Sequence, residues 1–151
     1  MKKGDEITAY KVVGKETRKG SNLVLFFQVF QEGYKTQKHI QIIQIIQKYI
    51  NKNSRLFPIY TKGVKLKAIT KTEGFFVFTT KKAAQEFIKK YGIMKLSKII
   101  KVKGIVKKRT PRIITGCGDY PNRISSKISR IGWNYPVCQK TVTLSELEVL
   151  T

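Results

Sequence analysis

A chain of 151 residues with 41% hydrophobic side chains, eight Phe and seven Tyr is long enough to bury a core and too apolar for an intrinsically disordered segment. Its 31 Lys plus Arg against nine Asp plus Glu give a formal net charge of +22. Self-repulsion at that charge disfavours a compact state unless counterions or an acidic partner neutralise it, so the expected partner is nucleic acid or another polyanion, or larger structural protein subunits with acidic surfaces. A solvated, lysine-rich surface is the bland alternative.

The first expected strand is Ile7 to Val13 (ITAYKVV), where Ile7, Ala9 and Lys11 alternate with Thr8, Tyr10 and Val12. A polar turn, GKETRKGSN, follows. Leu23 to Phe30 (LVLFFQVF) is nearly continuous apolar sequence rich in strand formers and reads as a central strand buried on both faces. Gln37 to Ile50 places Ile42, Ile43, Ile46, Tyr49 and Ile50 at helical spacing and predicts a helix, with an edge strand as its alternative. His39 in this segment has no second metal ligand or paired carboxylate nearby and reads as a structural or surface residue. Asn51, Asn53 and Pro58 end the segment, and Ile59 to Thr72 reads as a basic, irregular hairpin with a turn or bulge at Gly63.

Gly74 to Gly104 is the best-defined stretch. Phe75 to Phe78 is a short apolar run that suits a buried strand. Thr79 or Thr80 can then cap a helix whose Ala84, Phe87, Ile88 and Tyr91 share one face, and Gly92 ends it. Ile100 and Val102, set among Lys98, Lys101 and Lys103, predict a second strand with one wet face. This unit carries one carboxylate, Glu86, and neither Cys nor His, so it reads as scaffold.

Beyond Gly104 the chain becomes loop-rich, with Gly116, Gly118, Pro121, Gly132 and Pro136 close together. Thr141 to Leu150 (TVTLSELEVL) closes as a strand that turns acidic at Glu146 and Glu148, within reach of the lysines. The expected fold is a single compact α+β domain over residues 1 to 151, with a mostly antiparallel sheet packed by one or two helices and a loop-rich C-terminal excursion.

Tyr10 to Val13, Tyr60 to Gly63, Gly74 to Ile88, Ile99 to Gly104 and Thr141 to Val149 come in an order that resembles a group of small uncharacterised α+β domains encoded by bacteriophages and large DNA viruses. That resemblance implies a compact α+β fold and a viral origin, and it carries no activity across. Taken with the charge, the expected role is a non-enzymatic structural or accessory protein, a minor component of a virion or similar assembly, with a free nucleic-acid-binding protein of weak sequence preference as the alternative. Gln37 to Ile50 and Thr115 to Pro136 look like insertions relative to that pattern.

Catalytic chemistry finds little to work with. A nucleophilic dyad needs a base beside Ser or Cys, and His39 is remote in sequence from Cys117 and Cys138. Those two cysteines are too few for a disulfide framework or a four-cysteine zinc site, and read as two buried thiols or one bridge. The carboxylates are scattered. Only Asp119, with Arg123, could form a small site in a glycine-rich loop, where a turn-capping role is the plainer reading. No phosphate-cradling glycine motif is present, so no cofactor or metal is expected. No apolar run approaches the ~20 residues that span a bilayer, and no signal-type apolar core follows MKKGDEIT, so an intracellular or packaged location is expected.

The expected nucleic-acid contact is the cationic run Lys98, Lys101, Lys103, Lys107, Lys108, Arg109 and Arg112, which would track a phosphate backbone without reading bases. Tyr120, Trp133 and Tyr135, interleaved with Arg123 and Arg130, either stack on single-stranded bases or pack the loops.

Overall fold

The computed structural model describes residues 1–20, 44, 48, 58–68, 74–108, 113–114, 135–136 and 140–151. Its elements in chain order are β1 (Glu6–Gly14), β2 (Lys65–Lys67), β3 (Phe75–Phe78), α1 (Lys81–Tyr91), β4 (Ser97–Lys108), β5 (Ile113–Ile114), β6 (Tyr135–Pro136) and β7 (Thr141–Val149). Leu23 to Phe30 and, of the expected Thr115 to Pro136 excursion, residues 115–134 lie outside the described residues. So does most of Gln37 to Ile50, within which Gln44 and Lys48 are helical.

Four strands close on themselves. β1 pairs antiparallel with β4 along its whole length, from Glu6↔Ile105 to Gly14↔Ser97. β4 pairs on its other edge with β7, β7 pairs with β3, and β3 returns to β1 at Tyr10↔Phe78. The result is a small antiparallel barrel in one compact region, with β2 attached to the second half of β7. Antiparallel pairing and mixed α and β content match the expected class. Closure is the addition, and it removes the free edges that an open sheet would leave.

Alternation of side chains divides the apolar residues into two layers. Ala9 and Val13 of β1, Phe75 and Val77 of β3, Ile100, Val102 and Val106 of β4, and Val142, Leu144, Leu147 and Val149 of β7 fill the barrel with Tyr60. Val12, Phe76 and Phe78 point the other way and meet Ala83, Ala84, Phe87 and Ile88 of α1. The buried face of the helix is therefore the one expected, with Tyr91 at its margin. Both sides of Phe75–Phe78 are covered because the strand has the barrel on one side and the helix on the other. Burying each of its phenylalanines contributes about 2–3 kcal/mol.

The helix ends follow local chemistry. Thr80 is extended at the N-cap, and its Oγ1 accepts from Ala83 N at 3.1 Å. Gly92 takes φ 64° and ψ 30° at the C-cap and donates its N–H to the last turn, a conformation that costs other residues energy.

Two local expectations need correction. Among the described residues Ile59 to Thr72 contains a single strand, β2, and its partner is β7. The charges explain the choice: Lys65 lies opposite Glu148 and Lys67 opposite Glu146, whereas a local hairpin would draw on a strongly basic neighbourhood. Lys98 does not share the wet face of β4 with Lys101 and Lys103. It has the parity of Ile100 and Val102 and is half-buried, while Lys101 and Lys103 are exposed.

β4 and β7 do not run in simple register. Ser145 is skipped between Ile105↔Glu146 and Val106↔Leu144, and Lys107 is skipped before Lys108↔Thr143. At this crossing the strands come so close that a Cβ on Gly104 would overlap the Glu146 carbonyl oxygen and stand 2.8 Å from Leu144 Cδ1.

Candidate nucleic-acid interface

The cationic run expected on β4 begins on the barrel wall. Register places Thr8, Lys103, Glu148 and Lys65 in one row across β1, β4, β7 and β2, and Glu6, Ile105, Glu146 and Lys67 in the next. Lys103 Nζ lies 3.8 Å from Glu6 Oε1. The rows border a groove of about 550 Å³, floored by Leu66, Gly104, Ile105 and Leu147 and rimmed by Lys65, Lys67, Lys103, Glu6, Glu146 and Glu148. Positive and negative side chains thus alternate on this wall, and a phosphate approaching Lys103 also approaches carboxylates.

Lys101, two positions before Lys103 on the same face, is exposed opposite Tyr10. The other members of the run are dispersed, with Lys98 half-buried on the opposite parity. Lys107 is half-buried at the bulge with its aliphatic stem against Gly74. Lys108 pairs through its backbone with Thr143. Arg109 and Arg112 lie outside the described residues, as do Asp119, Tyr120, Arg123, Arg130, Trp133, Cys117, Cys138 and His39.

A second cationic surface lies on the helix that the sequence presents only as scaffold. The exposed side of α1 carries Lys81, Lys82, Gln85, Glu86, Lys89 and Lys90, followed by exposed Met94 and Lys95. Among the described residues no carboxylate reaches Lys81, Lys82, Lys89, Lys90 or Lys95 within ion-pairing distance. Lys90 Nζ rests 5.5 Å from the centroid of the Tyr91 ring. Lysines in the first turn oppose the helix dipole, and that turn contains no acidic residue, so helix stability does not account for Lys81 and Lys82. The signal is present in the sequence: these positions are the complement of the Ala84, Phe87, Ile88 and Tyr91 stripe.

One lysine faces inward. Lys11 is 2% exposed, with Nζ donating to the Phe76 carbonyl oxygen at 2.9 Å and standing 4.9 Å from the centroid of the Tyr60 ring. A carbonyl dipole and an aromatic face together stabilise a buried ammonium. Tyr60 is held in turn by Arg18, whose Nε donates to the Tyr60 carbonyl at 2.6 Å, and by edge-on contact with Phe75. These contacts join β1, β3 and the Tyr60 segment inside the barrel, which is a structural task.

Among the described residues no three His, Cys, Asp or Glu side chains group as metal ligands, and no helix is long and apolar enough to cross a membrane. Compared with known proteins, the chain matches no family model, no curated protein and no solved structure.

Proposed function

We propose that this protein is a basic binding module that holds nucleic acid through its phosphate backbone with weak sequence preference. The observation that supports this reading is the uneven division of charge. Glu6, Glu146 and Glu148 gather on the barrel wall among Lys65, Lys67 and Lys103, of which Lys103 is ion-paired with Glu6, whereas Lys81, Lys82, Lys89 and Lys90 of α1 share their exposed face with Glu86 alone and none of them is ion-paired among the described residues. In a chain of net charge +22 such uncompensated lysines attract counterions, and phosphate anions that replace those counterions gain the same electrostatic contact. On the nucleic acid, the cations condensed along the backbone are released as lysines take their place, and that release drives association. Lysine suits this role because it acts as a point charge toward phosphate and does not read base edges.

The test is a titration of labelled duplex DNA, duplex RNA and single strands with the whole chain between 50 and 200 mM salt. Contact with four to six phosphates would weaken binding by about 10² to 10³-fold across that range, with little dependence on base sequence. Absence of binding at the lowest salt would sink the reading. So would displacement of the nucleic acid by polyglutamate at equal charge, which would make an acidic protein surface the partner.

A further inference from the structure

Resting on that reading, we infer that the nucleic-acid contact is made by the exposed face of α1, and that its ligand is a B-form DNA duplex whose major groove the helix spans.

The first support is the contrast between two lysine groups of equal size. Lys65, Lys67, Lys101 and Lys103 stand on a wall that also holds Glu6, Glu146 and Glu148, and Lys103 is already paired with Glu6. Lys81, Lys82, Lys89 and Lys90 share their helix with Glu86 alone. Charge complementarity with a polyanion therefore favours the helix.

Spacing is the second support. Lys81 and Lys89 are separated by eight residues, which is about 12 Å along a helix axis. The major groove of B-form DNA is also about 12 Å wide. One lysine pair at each end of α1 can reach phosphates on opposite walls of the groove. Gln85 and Glu86 then lie over the opening, between the two lysine pairs. The helix is fixed in place for such a contact: its other face is buried through Ala83, Ala84, Phe87 and Ile88, and both ends are capped.

The experiment compares two variants of the whole chain that lose the same charge. One carries Lys81→Gln, Lys82→Gln, Lys89→Gln and Lys90→Gln; the other carries Lys65→Gln, Lys67→Gln, Lys101→Gln and Lys103→Gln. Thermal unfolding by circular dichroism checks that each remains folded. Removing one lysine–phosphate interaction lowers the slope of log affinity against log salt by about one, so the helix variant is expected to drop by about 3 to 4 in slope. The wall variant is expected to drop by less than about one, and the unaltered chain to prefer duplex to single strands. Equal drops in the two variants overturn the assignment, because total charge would then set affinity. Unaltered binding by the helix variant also overturns it while leaving nucleic-acid binding in place. Equal affinity for single strands overturns the groove-spanning geometry. No binding by the unaltered chain removes the functional reading itself, and this inference with it.

Discussion

Lys103 lies directly across the β4–β7 ladder from Glu148. With Glu6 on the far side of β4, it makes the barrel wall a surface of alternating charge. Its Glu6 pair is well exposed, at 45% and 60% side-chain accessibility, so water and salt screen it and it contributes little to stability. Neutralising Lys103 by Lys103→Gln is expected to change unfolding free energy by less than about 1 kcal/mol. Glu148→Lys would place lysines opposite each other on both sides, at Lys103 and Lys65, and is expected to destabilise by about 1 kcal/mol in urea titrations.

Gly104 should tolerate no side chain. A Cβ there meets the Glu146 carbonyl, Leu144 Cδ1 and the Leu147 Cα, and two of those three are backbone atoms that a rotamer change cannot move. Gly104→Ala is expected to lower stability by about 1–3 kcal/mol, read as a reduced urea midpoint. An unchanged midpoint would show that the β4–β7 crossing is looser than these distances imply.

Phe87 is the helix residue on which the outer layer depends. It is 1% exposed, with ring centroids 5.2 Å from Phe78 and 4.9 Å from Tyr91. Phe87→Ala is expected to cost about 3–5 kcal/mol. Thr80→Ala, which removes the N-cap acceptor without touching the core, should cost only about 1 kcal/mol. Thermal melts of the two variants check the ranking.

Inside the barrel, Lys11→Ala removes both the ammonium and its stem and is expected to cost about 2–4 kcal/mol. Lys11→Met keeps most of the volume and removes a desolvated charge, which offsets part of the cost of losing the bond to Phe76, so it should be the milder change. A Met variant as unstable as the Ala variant in urea titrations would show that the ammonium, and not the stem, does the holding.

How far the sequence foretells this molecule depends on the range of the interaction. The Phe75–Phe78 strand, the Thr80 cap, the stripe through Ala84, Phe87 and Ile88, and the Gly92 stop all follow from neighbours within a few positions. Lys11 is legible as period two with Ala9, but that its side chain finds a carbonyl on β3 and the ring of Tyr60 depends on chain far away in sequence. The same is true of β2, whose partner lies about eighty residues further on. Residue type misleads at Lys98, where strict parity along β4 decides the face. The candidate interface is legible as charge and not as place. Which lysines stand opposite Glu146 and Glu148 is a matter of register, which the positions of basic residues along the chain do not contain.

Closure by β7 also bears on the order of events during synthesis. β7 is the last of the described strands to leave the ribosome, yet β2, β3 and β4 all bond to it. Until Thr141 to Val149 has emerged, β3 and β4 each expose a row of unpaired backbone groups that invite pairing with other chains. A nascent chain stalled before Thr141 should therefore be protease-sensitive and prone to aggregate, and one stalled with β7 clear of the exit tunnel should be resistant. Folding would proceed as one late, non-local step and not strand by strand as the chain is made.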